Sequence, residues 1–305
     1  MNAAVAGAPV SFGVFELTPE GAETVDPDGL GEILQATGYS GIDLGPVGYL
    51  GRGHELRSRL ERFGLELAGG WIQLPFSDDD AFAEAVPSLR EALSVFSEAS
   101  ETGPSRLPLP TLADDGSAAR VAAPGRGQEA EPLDPDAAAR LFANVDRAAG
   151  IVRAAGFEPT FHHHAGTFVE SPEEVDAFLA QTDVGLTLDT GHLLLAGGDP
   201  VDAVRRWGLR INHLHLKDVD VGALRRILAA GGGMADVWSG GAFVAFGRGD
   251  VDLAGVMSIV DEGAYDGWIV IEQDVLNGPD VAISAFQAER AHDQAVNRNA
   301  LRSWV

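Results

Sequence analysis

The chain has 305 residues, 45% hydrophobic and 22% charged, which is enough apolar side chain for a large packed core and too much for a disordered chain. Forty-six acidic against 21 basic residues give a formal charge of −25, a field that repels phosphate backbones and anionic lipid, so neither nucleic acid nor a membrane is an expected partner. With no cysteine there is no disulfide framework and no thiolate site, so any metal must be held by His, Asp or Glu.

At the N-terminus, Met1–Ala6 lacks the cationic and apolar regions of an export leader, and no apolar run reaches the length of a membrane span, which makes the cytoplasm the expected compartment. Strand candidates then follow at Ala4–Val10, Ser40–Leu44, Glu66–Ile72, Arg106–Leu112, Glu158–His163, Gly185–Leu188, Ile211–Leu216 and Trp268–Ile271. Helix candidates fall between and after them at about 27–38, 52–64, 78–99, 135–155, 171–181, 199–206, 252–264 and 279–300. Four of these open on a capping residue followed by proline: Asp26-Pro27, Asp134-Pro135, Ser171-Pro172 and Asp199-Pro200, with Ser171 and Glu174 spaced as a capping box. Eight alternations of strand and helix over 305 residues predict an α/β fold, a closed (β/α)8 TIM barrel forming one domain over residues 1–305. The fourth unit fits least well, because Pro108 and Pro110 suit a central strand poorly, and 114–133 reads as a long loop able to act as a lid. A second insertion at 219–249, rich in glycine, reads as mobile.

Six of the eight histidines lie between residues 162 and 215, all at or just past the predicted ends of strands five, six and seven. A barrel brings those ends to one rim. By strand alternation His162 and His164 share a direction that His163 does not. Asp189 closes an apolar strand, where a carboxylate is costly unless it meets a cation or hydrogen-bond donors, and His192 follows one turn on. On strand seven His213, His215 and Lys217 share a face, with His213 deeper and structural, His215 at the rim and Lys217 above it. A cation nearby would push the Lys217 pKa down and suit it to proton transfer, while a solvated rim lysine is the plain alternative. Glu272 closes strand eight. Asp189, His215 and Glu272 form a mixed oxygen and nitrogen set suited to a divalent metal, Mn²⁺, Co²⁺, Zn²⁺, Mg²⁺ or Fe²⁺, among which the donor set does not choose. Glu16, Asp43, Trp71, Gln73 and Arg248 are candidates for contacting a polyol; core packing for Trp71 and a surface loop for Arg248 are the competing readings.

These stretches, FHHHAGTFVES (161–171), LTLDTGHLLLAGGDP (186–200), INHLHLKDVD (211–220), GRGDVDL (247–253) and YDGWIVIEQD (265–274), with a weaker APVSFGVFEL (8–17), resemble the sugar phosphate isomerase/epimerase superfamily of xylose-isomerase-like barrels. The inosose dehydratase branch is the most similar. The resemblance implies that Asp189, His215 and Glu272 bind a divalent metal and that His192 contacts substrate. Where the wider superfamily ends strand five with glutamate this chain has His162, which is taken as the fourth ligand with His164 on the substrate. The implied activity is a metal-dependent lyase that dehydrates a keto-polyol such as an inosose through an enediolate, with His164, His192 and Lys217 as candidate acid and base. Rival expectations are a sugar isomerase or epimerase, a 3-keto-glycoside lyase, and a non-catalytic sugar-binding subunit. The expected partner is a small keto-polyol or keto-sugar, with a homo-oligomer open.

Overall fold

The computed structural model describes residues 2–15, 18, 23–126, 132–278 and 280–305. Its strands are β1 Ala4–Gly7, β2 Gly41–Ile42, β3 Glu66–Leu67, β4 Gly69–Leu74, β5 Leu109–Asp114, β6 Thr160–His162, β7 Gly185–Asp189, β8 Ile211–Leu216, β9 Asp218–Val219, β10 Phe243–Val244 and β11 Trp268–Ile271. Nine of them form one all-parallel sheet in the order β3-β2-β1-β11-β8-β7-β6-β5-β4. Its two end strands, β3 and β4, are separated in the chain by Ala68 alone. The Ala68 N–H donates to Ile42 O at 2.9 Å on one side, and Leu109 N–H donates to Ala68 O at 3.0 Å on the other. β3 and β4 are therefore halves of one strand shared between two neighbours, and the nine segments make the eight strands of a closed barrel.

Helices Pro27–Thr37, Gly53–Phe63, Asp79–Ser100, Pro135–Ala154, Pro172–Gln181, Pro200–Trp207, Leu253–Glu262 and Ile283–Ala300 cover the outside. All four expected caps form: Asp26, Asp134 and Asp199 each accept two backbone amides, and Ser171 and Glu174 make the reciprocal capping box.

Strand alternation divides the core in two. Outward-facing Leu186, Leu188, Leu214, Leu216, Ile269 and Ile271 pack on the helices, where Phe161 stacks on Phe178 with ring centroids 4.1 Å apart. Inside the barrel a small cluster of Ala6, Ala8, Ala68, Trp268 and Val270 fills the floor. Gly41 makes room for that filling, since a Cβ there would lie 2.5 Å from the Trp268 ring. Pro110 is tolerated in β5 because pairing with β6 starts only at Thr111, so no ladder bond to β6 is asked of it.

Both insertions carry short helices. Residues 114–133 contain the short helix Ala118–Ala122, and 127–131 fall outside the described residues. The 219–249 stretch, expected to be mobile, folds into helices Val221–Ala229 and Met234–Ser239 and the antiparallel pair β9 and β10. Val219, Leu224, Met234, Val237 and Phe243 bury themselves there with Ala165 and Leu195. Among its glycines, Gly231 takes the left-handed φ of +81° just past the end of the first helix.

Candidate active site

Register brings the chemistry together. Asp189 pairs with His215 across β7 and β8, His162 with Thr187 across β6 and β7, and Glu272 N–H donates to Leu216 O at 3.0 Å. Because neighbouring leucines point outward, Asp189, His213, His215 and Lys217 point into the barrel. His162, Asp189, His215 and Glu272 are all buried, and one potential ligand atom from each lies within 4.8 Å of every other. His162 Nε2 is 3.3 Å from Asp189 Oδ2, and His215 Nδ1 is 2.9 Å from Glu272 Oε2 and 3.9 Å from Asp189 Oδ2. A second group, His164, His192 and Asp274, adjoins the first.

The three consecutive histidines are sorted by their hydrogen bonds. His162 Nδ1 donates to His163 O at 2.6 Å and His164 Nδ1 donates to Ala165 O at 2.7 Å; a carbonyl can only accept, so in each neutral ring Nε2 keeps its lone pair. That is how a metal-ligating or proton-accepting imidazole is preset. His163 points the other way, as alternation predicts, and its Nε2 accepts the Asp189 N–H at 3.2 Å. Burial lowers the His163 pKa to about 3, so the ring is neutral. Burial also lowers the pKa values of His162, His164, His192 and His213.

The lowering expected of the Lys217 pKa was tied to a cation beside it, and the neighbours that the fold brings to Lys217 are carboxylates, which act in the other direction. Burial opposes its charge, but Asp189, Asp274 and Glu272 outweigh burial and hold the ammonium well above the usual lysine range. Its Nζ is 3.1 Å from Asp189 Oδ2, 2.9 Å from Glu272 Oε2 and 3.0 Å from Asp274 Oδ1. In turn, burial would raise the Asp189 carboxyl, but Lys217, His192 and His162 hold it far below the ordinary range. Glu272 is likewise held low against its burial, by His215 and Lys217. Asp274 is raised, by burial first.

The donor set fits a divalent metal. Two buried carboxylates and two buried imidazoles converge, His162 Nε2 is presented as a lone pair, and His215 Nδ1 faces both carboxylates. A cavity beside them is lined by polar residues including Asp43, Gln73, His162, His164, Lys217 and Asp274 and by apolar ones including Val14, Phe15, Trp71, Val121, Met234 and Trp238. Trp71 meets the rings of His162 and His164 edge-on, with centroids 5.2 and 5.0 Å away.

Of the remaining candidates, His192 is buried behind the cavity, its Nε2 3.2 Å from Asp274 Oδ2 and its ring 3.6 Å from that of His164. Arg248 does not join the site: it is exposed and absent from the cavity lining. The glycines beside it serve Asp218, whose carboxylate accepts the N–H groups of Gly247 at 2.9 Å, Gly249 at 3.0 Å and Val251 at 3.1 Å. Glu16 lies outside the described residues. Asp274 was missed, although alternation from Glu272 two residues earlier already places it on the same face. Lys217 carried a further unread signal, being the one lysine among the 21 basic residues.

A closed eight-stranded barrel with polar side chains gathered at the C-terminal strand ends places this chain among the TIM barrels, whose sites are built on that rim. The family model described as Xylose isomerase-like TIM barrel matches residues 31–294, and the chain belongs to that family. Similar proteins include the rhizopine catabolism protein MocC of Rhizobium meliloti, 31% identical across 96% of this chain and 87% of its own length. An inosose dehydratase of Geobacillus kaustophilus (strain HTA426) is 29% identical over 88% of this chain and 86% of its own. Among solved structures, the D-allulose 3-epimerase from Methylomonas sp. in complex with D-allulose superposes with a TM-score of 0.68 at 14% identity, covering 100% of this chain and 98% of that one, a likeness of fold. Among the described residues no helix is long and apolar enough to cross a membrane.

Proposed function

We propose that the protein is a divalent-metal-dependent dehydratase of an uncharged keto-polyol such as an inosose. The observation that carries this reading is the buried His162, Asp189, His215 and Glu272 group opening onto a cavity whose other polar groups suit hydroxyls. The named inosose dehydratase similarity, running along most of the chain, supports the same reaction class. An uncharged substrate follows from the lining: Asp43, Asp115, Glu272 and Asp274 face a single cation, Lys217, already shared among three carboxylates. Among the lining side chains a phosphate or carboxylate would find no uncommitted cation and would face the carboxylates of Asp115 and Asp274.

His162, Asp189, His215 and Glu272 would hold the metal, which when bound would polarise the substrate carbonyl and acidify the adjacent C–H. His164 lines the cavity with its Nε2 lone pair available, so it is the base that takes the α-proton, leaving an enediolate. Lys217, kept as an ammonium, donates a proton to the β-hydroxyl as the C–O bond breaks, and water departs. His192 packs its ring 3.6 Å from that of His164 and backs Asp274, which touches Lys217 at 3.0 Å, so the pair orients both groups, and solvent takes the proton from His164 and restores the one lost by Lys217 once the product leaves. Trp71 holds the His164 ring edge-on and limits its rotation.

The test is metal content by mass spectrometry on the wild type, Asp189→Ala and Glu272→Ala, followed by proton NMR of the product from an inosose. About one metal per chain, lost in both variants, and loss of a carbon stereocentre in the product are expected. A product that keeps every stereocentre but inverts one assigns the site to epimerisation; a wild type that takes up no metal removes this reading.

A further inference from the structure

We propose that Lys217 is the resident counter-ion of the metal-ligand carboxylates, and that a divalent cation enters by exchange with its ammonium, which gives up Asp189 and Glu272 and keeps Asp274. This rests on the metal-site reading above.

The argument starts from shared atoms. Asp189 Oδ2 and Glu272 Oε2 are the oxygens that face the imidazoles of the four-residue group, at 3.3 Å from His162 Nε2 and 2.9 Å from His215 Nδ1. The same two oxygens lie 3.1 and 2.9 Å from Lys217 Nζ. A metal would need them at about 2.0–2.2 Å, so a dication and the ammonium compete for one pair of oxygens in a buried, low-dielectric space.

Charge decides that the ammonium moves rather than leaves. Asp189, Glu272 and Asp274 bring three negative charges against one positive from Lys217, and one divalent cation brings the four groups to neutrality. Removing the ammonium as well would leave Asp274 buried and unpaired, a costly state. Asp274 supplies the second station: it is outside the four-residue group, touches Nζ through both carboxylate oxygens at 3.0 and 3.1 Å, and is backed by His192 at 3.2 Å. Lysine suits this task because a compact point charge on a flexible stem can swing between carboxylates, which a planar guanidinium fork cannot do as freely. The stem has been given room: a Cβ at Gly191 would come within 2.6 Å of Lys217 Cβ.

Since Lys217 is the one lysine in the chain, ¹³C,¹⁵N-lysine labelling gives a single side-chain signal set in the full-length protein. The chelator-stripped protein is titrated with Zn²⁺ alone while that signal and the Zn²⁺ affinity are followed in wild type and Lys217→Met. The expected result is a shift of the Lys217 ε-resonances that saturates at one Zn²⁺ per chain, with Lys217→Met binding Zn²⁺ about tenfold tighter or more. Zn²⁺ bound by Lys217→Met and refused by the wild type is the same result in its extreme form. Zn²⁺ bound equally by both with the lysine signal unmoved overturns the exchange and leaves the metal site standing. Binding by neither protein overturns both. Should Lys217→Met fail to fold, the wild-type resonance alone decides.

Discussion

The backbone N–H of Asp189 donates to Nε2 of His163 at 3.2 Å, so the middle histidine of the triplet holds the strand end that carries a candidate ligand. His163 is fully buried and points away from the ligand group, and its ring is an orienting partner rather than a ligand. Outer partners of this kind are typically worth about 10- to 100-fold in metal affinity. His163→Leu is expected to lower metal affinity by about that factor while far-UV circular dichroism stays that of the folded barrel; titration calorimetry with Zn²⁺ measures it.

Arg120, buried on the short helix after β5, donates to Thr167 O at 3.1 Å and to Glu174 Oε1 at 2.7 Å, and lies 4.0 Å from Glu170. It joins the segment that carries Val121 to the loop that follows His162. Removing one partner of a buried pair costs about 3–5 kcal/mol, and the part-exposed Glu174 puts this case at the lower end. Arg120→Ala is expected to lose about 3 kcal/mol in urea unfolding, with hydrogen exchange rising in both 115–126 and 163–171.

Burial raises Asp114 and Glu170 to about 7 each. Both exceed the ordinary carboxyl values, so the folded state keeps protons that the unfolded chain has lost. Their contribution is full below about pH 4, declines as pH rises, and is gone above about pH 7, at up to about 1.4 kcal/mol per pH unit per group. The buried neutral histidines act in the opposite sense over the same window. The informative quantity is therefore a difference: between about pH 4.5 and 7, the stability of Asp114→Asn should rise more steeply with pH than that of the wild type. Parallel curves in urea unfolding would show that Asp114 is ionised in the fold.

Arg248 and Asp218 should separate cleanly. Arg248 is exposed, and Arg248→Ala is expected to change stability by less than about 0.5 kcal/mol and to leave Zn²⁺ binding unchanged. Asp218→Ala leaves the N–H groups of Gly247, Gly249 and Val251 without their acceptor and should cost several times as much. Denaturant midpoints and Zn²⁺ titrations of the two variants test this directly, and a loss of Zn²⁺ binding in Arg248→Ala would return that arginine to the site.

What could be read without the fold was whatever depends on near neighbours in the chain. Strand positions, the four Asp-Pro or Ser-Pro helix starts and the capping box are local, since a cap needs only a side chain within three residues of the amides it serves. The opposed directions of His163 and its two neighbours were legible for the same reason, being a consequence of strand alternation. So was the meeting of strand ends at one rim, once eight alternations implied a barrel. What the tertiary structure alone decided depends on charges and backbones brought together from distant segments. The ammonium of Lys217 is held up because Asp189, Glu272 and Asp274 arrive from two other strand ends; the sequence put Lys217 at the same rim but not within reach of three carboxylates at once. The GRGD stretch serves Asp218 across 29–33 residues of chain, and that separation made Arg248 look like a ligand contact. Ala68 closes the barrel by bonding to strands on both sides, and no periodicity in the sequence marks that, because hydrogen bonds between strands are set by where the chain returns in space.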